Sequence, residues 1–306
     1  GSATVQTDAS GIATIGGWVL GPTAGANTLT ATSGTLSGSP VTFTATGTQV
    51  PMSLTVNAGN NQTAVAGTAV ATAPSVIVRD AGNNPMANVD VIFSVTSGGG
   101  VVVPTAVVKT NAQGIATATS WTLGATVGAN TLRASVTALA PVTFNATGVA
   151  GAAARLTKHV GDNQSATIGT GVATPPAVRI TDINNNPVGA GTSVTFSVAS
   201  GGGSVNGPAT VQTNAAGIAT IGGWFVGPTA GANTLVAISG TLIGSPATFT
   251  ATATAQVPFA VVIVAGNNQS ATVGTAVTTA PSVVVRDGSS LPIPGVTVTF
   301  AIMSRS

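Results

Sequence analysis

The sequence predicts an all-β protein built from tandem antiparallel β-sandwiches. Two observations carry this prediction: the chain repeats itself, and each repeat consists of short β-branched segments separated by turn residues. Trp18, Trp121 and Trp224 mark the period, because they are spaced 103 residues apart. A repeat of this length is too long for one turn of a solenoid and suits a whole small domain.

The repeat is close enough to be read residue by residue. The segment 3–46 matches 209–252 at 36 of 44 positions. The motif Asn60-Asn61-Gln62 recurs as Asp162-Asn163-Gln164 and again as Asn267-Asn268-Gln269. Phe93, Phe196 and Phe300 recur with nearly the same period.

Within one repeat, the strands follow one another at short intervals. Pro74–Arg79 is short and β-branched, and Asp80–Pro85 after it is rich in turn residues. Asn88–Val95 alternates, which predicts a strand with Val89, Val91, Phe93 and Val95 on one face. The glycines Gly98–Gly100 are expected to end that strand.

The second half of the repeat continues in the same way. Thr110–Gly114 predicts a hairpin turn in which Gly114 adopts a positive φ, followed by a strand over Ile115–Trp121. Asn130–Val136 and Pro141–Ala146 complete the unit. About seven strands with Greek-key connections are therefore expected per domain, and no segment has a helical apolar period.

These motifs resemble the immunoglobulin-like domains of bacterial invasin- and intimin-type surface proteins. The residues that carry the resemblance are Arg79-Asp80 through Pro85, the Val-x-Val-x-Phe strand, the glycine triplet and the Thr-Asn-x-x-Gly-Ile-Ala-Thr segment. The resemblance covers all 306 residues. It implies export, tandem stacking, and a role as a spacer, stalk or adhesin.

Composition narrows the class of function. Charged residues make up 5% of the chain, against about 25% in an ordinary soluble protein, and the net charge is +2. A charge this small predicts no nucleic-acid partner. The longest apolar stretch, Phe259–Ala265, is too short to span a membrane as a helix. There is no cysteine, so each domain must be held by packing and hydrogen bonds.

The register of the repeat predicts four segments. Residues 50–149 and 150–255 are each a complete domain, 1–49 is the C-terminal half of a repeat, and 256–306 is the N-terminal half. Either the chain is a piece of a longer repeat polymer, or the 256–306 half of one subunit completes the 1–49 half of the next. The residues predicted to meet at that joint are Val5, Ile12, Trp18, Leu29, Phe43, Val283, Val285, Val296, Val298 and Phe300.

The sequence contains few residues that are suited to catalysis. We therefore expect that the chain is not an enzyme and binds no cofactor. His159 is the only histidine, the other copies lack it, and the carboxylates are six aspartates. Asp182, Asn184 and Asn186 have the oxygen spacing of a calcium loop but lack its later glutamate. They are more simply explained as an Asp-initiated turn, so no metal site is predicted.

Two further interpretations remain. An exposed Trp18, Trp121 or Trp224 would suit a carbohydrate-binding module, whereas a core tryptophan suits a sandwich. Asn-x-Ser/Thr sequences, which are candidate glycosylation sites, occur at Asn61, Asn145, Asn163 and Asn268. Polar turn residues that satisfy the backbone would leave the same pattern.

The leading functional hypothesis is a structural subunit or segment of an extracellular filament on a bacterium, with head-to-tail copies of itself as partner. Other matrix or cell-surface components are further candidate partners. The first alternative is the stalk of a surface adhesin, and the second is a carbohydrate-binding module.

Overall fold

The computed structural model describes residues 4–288 and 290–303. All regular secondary structure in this part of the chain is β-strand, which confirms the predicted class. The strands fall into two compact units, Gly1–Gly151 and Ala152–Ser306.

The first unit contains a two-stranded pair, β1 and β2, followed by a complete sandwich formed by β3 to β12. The strands are β1 (Gly25–Ala31), β2 (Val41–Gly47), β3 (Ser53–Ala58), β4 (Gln62–Val65), β5 (Ser75–Arg79), β6 (Asp90–Ser97), β7 (Val101–Val103), β8 (Val108–Lys109), β9 (Ile115–Thr117), β10 (Ser120–Thr122), β11 (Gly128–Ser135) and β12 (Val142–Val149).

The sandwich of the first unit has a Greek-key arrangement. One sheet has the order β3-β5-β9, the other has the order β4-β12-β11-β6-β8, and β7 pairs with β10 in a short separate ladder. Although β3 and β4 are consecutive in the chain, they lie in different sheets. β4 pairs in parallel with β12, the last strand, whereas the other ladders are antiparallel.

Apolar side chains from both sheets fill the core of this sandwich. Phe144 and Trp121 are fully buried, and the rings of Phe93 and Phe144 have centroids 6.4 Å apart. Val91 and Phe93 are buried while Val89 and Val95 pack against the core from its rim, as the alternation predicts. Burial of each large apolar side chain contributes about 1.5–3 kcal/mol, so this cluster contributes strongly to the stability of the domain.

The second unit contains another complete sandwich, β13 to β22, followed by a two-stranded pair. Its strands are β13 (Arg155–Val160), β14 (Gln164–Thr167), β15 (Ala177–Thr181), β16 (Ser193–Ser200), β17 (Ser204–Asn206), β18 (Thr210–Gln212), β19 (Ile218–Thr220), β20 (Gly223–Phe225), β21 (Gly231–Ile238), β22 (Ala247–Thr254), β23 (Pro258–Ala265) and β24 (Ser282–Asp287). The sheet orders, β13-β15-β19 and β14-β22-β21-β16-β18, repeat those of the first unit. Phe196, Trp224 and Phe249 occupy the core.

The single strand predicted over Ile115–Trp121 is wrong. The segment forms two strands, because β9 pairs with β5 and β10 pairs with β7. The change of partner occurs at Ala118, whose N–H donates to the Pro74 carbonyl, and at Thr119, whose N–H donates to the Val103 carbonyl. The alternating sequence of this segment therefore does not show that the chain leaves one ladder and enters another.

The hairpin predicted at Thr110–Gly114 is also wrong, although the turn itself forms. Asn111 Oδ1 accepts hydrogen bonds from the N–H groups of Gln113 and Ile115, at 2.9 and 3.0 Å, and Gly114 has a φ of 72°. The strands on either side do not pair with each other, since β8 pairs with β6 and β9 pairs with β5. The turn carries the chain from one sheet to the other.

The glycine triplet ends β6 as predicted. Gly98, Gly99 and Gly100 all have positive φ, at 81°, 77° and 84°, a region that favours glycine. A Cβ atom on Gly100 would also collide with the Thr122 carbonyl. The close approach of the two backbones therefore requires glycine here.

Candidate functional site: two open half-sandwiches

The N-terminal segment, residues 4–49, contains only two of the strands of a sandwich. β1 and β2 pair antiparallel, with Leu29 opposite Phe43, as Leu132 lies opposite Phe144 in the complete domain. In that domain β11 and β12 are flanked by β6 and β4, whereas β1 and β2 form a sheet of two. Consequently Phe43 is 52% exposed, while Phe144 and Phe249 are fully buried.

The same segment shows a turn that forms and a strand that does not. Asp8 Oδ1 accepts hydrogen bonds from the N–H groups of Ser10 and Ile12, at 2.8 and 3.0 Å, which reproduces the turn at Asn111. Residues 12–14, which correspond to β9, are not a strand, and Ile12 is exposed. The turn needs only local hydrogen bonds, but the strand needs the partner that β5 provides to β9.

The C-terminal segment, residues 256–303, has the complementary set of elements. β23 and β24 pair antiparallel, with Val261 opposite Val285, and correspond to β3 and β5. Gln269 holds its loop as Gln62 does, because its Nε2 donates to the carbonyls of Gly266 and Thr279. Residues 270–272 are nevertheless not a strand, whereas β4 at the equivalent position pairs with β12.

The last apolar stretch of this segment is also open. Phe300 occupies the repeat position of Phe93 and Phe196, which are 2% and 1% exposed, but Phe300 itself is 62% exposed. Residues 296–300 are not a strand, whereas β6 and β16 at this position each pair with two other strands. The inner face of the C-terminal segment therefore lies uncovered in the described structure.

The predicted interface residues divide equally between these two segments. Val5, Ile12 and Phe43 of the first and Val298 and Phe300 of the second are exposed, and Val285 is buried against its own pair. The half-buried members are Trp18, Leu29, Val283 and Val296. That these residues meet one another stays a prediction.

The aspartates at the repeated turn position organise the backbone. Asp182 Oδ1 accepts hydrogen bonds from the N–H groups of Asn184 and Asn186, both at 2.9 Å, and its Oδ2 accepts one from Asn186 Nδ2 at 3.0 Å. This is the Asp-initiated turn considered from the sequence. The Asn186 side chain thus donates to the carboxylate that the sequence offered as a cation ligand. Within residues 4–288 and 290–303 no cluster of three or more His, Cys, Asp or Glu side chains suited to a metal ion occurs.

One of these turns also connects a half-sandwich to its neighbouring complete domain. In the first unit, Gln49 Nε2 donates to Asp80 Oδ2 at 2.9 Å, and Asn84 Nδ2 donates to the Pro22 carbonyl at 3.1 Å. In the second unit the equivalent pair, Gln256 Nε2 and Asp287 Oδ2 at 3.5 Å, lies within the C-terminal half-sandwich. The sequence interpretation missed these glutamines, although their repetition 207 residues apart was visible.

Hydrogen bonding lowers the pKa of Asp80 at this junction. The backbone N–H of Asn84 contributes most, followed by the side chains of Asn84 and Gln49. A lowered pKa in the folded state means that the stabilisation is present above the unfolded pKa and is lost as pH falls through the folded value. The junction is therefore sensitive to acid.

We expect the melting temperature of the first unit to fall as pH is lowered from about 4 toward 2, the range in which aspartate titrates. Asp80→Asn should reduce this dependence, because the variant has no carboxylate to protonate. The measurement is a series of thermal melts from pH 7 to 2. Asp90→Asn, in the exposed ion pair with Lys109, is the control and should leave the acid transition in place. An unchanged transition in Asp80→Asn would contradict the assignment.

The strand order identifies the type of sandwich. Its first strand is split between the two sheets, and the second part, β4, pairs in parallel with the last strand. The same split and the same parallel pair occur in the second unit as β13, β14 and β22. The two complete domains have the immunoglobulin-like fold.

Known proteins match these immunoglobulin-like domains through structure and not through sequence. No protein-family model and no characterised protein sequence matches the chain. Invasin, a bacterial integrin-binding protein, is 20% identical and matches over 80% of this chain and 49% of its own, with a TM-score of 0.33. The Escherichia coli adhesin FdeC is 18% identical over 74% of each chain, with a TM-score of 0.39.

An enzyme also matches. A Parabacteroides merdae β-glucuronidase is 17% identical over 68% of this chain and 25% of its own, with a TM-score of 0.27. The chain thus spans about half of invasin and a quarter of the glucuronidase. Similarity at this level concerns the fold, and a fold by itself assigns no activity.

Two of the three tryptophans lie in the cores of the complete immunoglobulin-like domains. Trp121 and Trp224 are fully buried, so neither can stack on a sugar, and Trp18 is half-buried in the open N-terminal segment.

His159 is exposed on β13, beside Lys158, which pairs with Asp162. No helix in the described part of the chain is long and apolar enough to cross a membrane.

The candidate glycosylation asparagines are all exposed. Asn61, Asn163 and Asn268 have φ values of 55°, 54° and 53°, a region that asparagine tolerates better than most residues. The turn therefore gives asparagine a conformational role at these three positions. Glycosylation there and at Asn145 stays a prediction.

Proposed function

We propose that this chain is a structural segment of an extracellular filament at the surface of a bacterium. Consecutive units join head to tail, and residues 256–306 of one unit complete the sandwich begun by residues 1–49 of the next. The observation that carries the proposal is which strands fail to form. Segments that are strands in both complete domains are not strands in the half-sandwiches where all their partners would belong to the other half.

Three missing pairs define the register of the proposed joint. In the complete domain Phe93 lies opposite Ala134, so Phe300 is expected opposite Ala31. Val76 lies opposite Ala116, so Val283 is expected opposite Ala13.

The third pair is the parallel one. Gln62 lies opposite Ala146, so Gln269 is expected opposite Ala45. Together the three pairs would close both sheets of the sandwich and cover Phe43 and Phe300.

The two surfaces of this joint differ, and this difference determines the type of assembly. One surface supplies the equivalents of β9, β11 and β12, and the other supplies those of β3 to β6. A contact between unlike surfaces is head to tail, so it extends into a filament unless the rotation closes a ring. Strand addition also provides backbone hydrogen bonds, while the apolar side chains provide specificity.

The hydrogen-bonded junction in the first unit supports an end-to-end arrangement. Gln49 to Asp80 and Asn84 to the Pro22 carbonyl link the N-terminal half-sandwich to the complete domain beside it. A joint formed at one end would thereby be held to the rest of the unit. This suits a load-bearing spacer better than a set of freely linked domains.

The test is to measure the size of the purified 306-residue chain by analytical ultracentrifugation over a range of concentrations. We expect species that lengthen with concentration, since the joint is intermolecular. Electron microscopy should show unbranched filaments or rings. A stable monomer at every concentration would refute the joint.

The stalk of a surface adhesin is the second candidate, supported by the same tandem domains. In that case the half-sandwiches would be completed by neighbouring repeats of one longer polypeptide. Mass spectrometry of the native protein separates the two. A subunit of this length supports the filament, and a longer chain with further repeats supports the stalk. Labelling of intact cells tests the surface location in both cases.

A further inference from the structure

β23 differs from the equivalent strands of the two complete domains on its outer face. Alternate side chains of a strand point to opposite faces of the sheet, and in β3 and β13 the inward positions include Leu54 and Leu156. The outward positions are polar or charged in both strands. They are Ser53, Thr55 and Asn57 in β3, Arg155, Thr157 and His159 in β13, and Ala260, Val262 and Val264 in β23.

These valines lie on the surface. Val262 is 44% exposed and Val264 is 63% exposed. Completion of the sandwich by another copy would cover the opposite, inward face of β23, where Val261 and Ile263 lie. The outer face would remain uncovered, so the head-to-tail joint does not explain it.

β23 also lies at the edge of its sheet. Among the described residues it pairs with β24 alone. β3 and β13 are likewise the outermost strands of their sheets, although β13 also forms a short parallel bridge from Arg155 to Ile243. Exposed edge strands can pair with other chains, and proteins commonly prevent this with charged or polar side chains. β3 and β13 have such side chains, whereas no residue from Pro258 to Ala265 is charged or hydrogen-bonding in its side chain.

We propose that the free edge of β23 pairs antiparallel with β23 of a second copy of this chain, forming a lateral contact. Two copies of β23 have the same length, so they can pair along the whole strand. A two-fold pairing centred on Val262 places uncharged residues opposite one another throughout. No like charges oppose this pairing, whereas the equivalent self-pairing of β13 would bring together Arg155, Lys158 and His159. The contact uses the edge and outer face of β23 and needs no residue of the N-terminal segment, so it can form when the head-to-tail joint is absent.

The absence of cysteine permits a direct test, because a single introduced cysteine is the only thiol. In the full chain, Val262→Cys should form covalent dimers with a short bis-maleimide, since directly opposed side chains have Cβ atoms about 5 Å apart. Thr55→Cys and Thr157→Cys are the matched controls at the equivalent positions. We expect at least about tenfold more dimer from Val262→Cys than from either control.

A second measurement separates this contact from the head-to-tail joint. In a Phe300→Asp background, which removes the joint, Val262→Cys should still cross-link, and the chain should show a monomer–dimer equilibrium. Adding Val262→Lys to that background should shift the equilibrium to monomer, because two lysines would then oppose each other, while Thr55→Lys should not.

Each proposal therefore fails in its own way. Cross-linking of Val262→Cys no greater than that of the controls would overturn the lateral contact, even if filaments still form. Cross-linked dimers from a chain that never lengthens would instead refute the head-to-tail joint and support the lateral contact.

Discussion

A chain carrying Phe300→Asp should remain short at concentrations at which the unaltered chain lengthens. The equivalents Phe93 and Phe196 are buried in completed sandwiches, so the joint would bury an unpaired carboxylate in place of an aromatic ring. Loss of a buried phenylalanine alone costs about 3–5 kcal/mol, which weakens association at least about a hundredfold. Sedimentation velocity is the measurement.

Met303→Asp is the matched control for that variant. It introduces the same charge three residues further on, at the repeat position of the exposed Thr96, on the outward face of the expected strand. Met303→Asp should therefore lengthen normally. Trp121 and Trp224 report on the two complete domains, and their fluorescence should be unchanged in both variants.

A mixing experiment makes the test directional. Phe43→Asp alters the other surface of the joint and should also prevent growth. Each variant keeps the surface that the other lacks, so an equimolar mixture should form a complex of one Phe300→Asp chain and one Phe43→Asp chain, and no longer species through this joint. Continued growth of either variant alone, or no complex in the mixture, would contradict the proposed surfaces.

Removal of the phenylalanine ring at one repeat position should destabilise the two complete domains strongly and the N-terminal segment little. Phe144→Ala and Phe249→Ala each leave a cavity in a closed core and should destabilise their own domain by about 3–5 kcal/mol. For a domain of about 100 residues this lowers the melting temperature by more than about 12 °C. Phe43→Ala should change the melting of the monomeric chain little, because the ring is already half in solvent.

Calorimetry of the three variants provides the measurement. Phe144→Ala should shift the transition of the first complete domain, and Phe249→Ala that of the second. To prevent growth through the head-to-tail joint, Phe43→Ala should be compared with its parent in the Phe300→Asp background. A large loss of stability in Phe43→Ala under these conditions would mean that the N-terminal segment has a closed core of its own.

Local patterns were sufficient for most of the fold. The Phe93 alternation predicted both the strand and its buried face, and the glycine triplet predicted where the strand ends. The turns at Asn111 and Asp8 form in the same way, because each depends on one side-chain oxygen and nearby N–H groups. Such features need no distant partner, so the sequence contains all the information required to predict them.

Other features were beyond local reasoning. The strand over Ile115–Trp121 was predicted as one element, yet its two parts belong to different ladders. The turn before it was predicted as a hairpin, yet it joins two sheets. In both cases the apolar pattern shows which side chains face the core, but not which neighbouring strand accepts the hydrogen bonds.

The amino-acid sequence determined the repeat, the all-β class and the inward positions, because periodicity and turn chemistry are local properties. Only the tertiary structure decided which segments become strands. Residues 12–14 have the same Ile-Ala-Thr sequence as β9 and β19, yet they remain unpaired while β9 and β19 lie in sheets. A β-strand is completed by hydrogen bonds to another strand, so identical residues form different structures where that strand is present or missing.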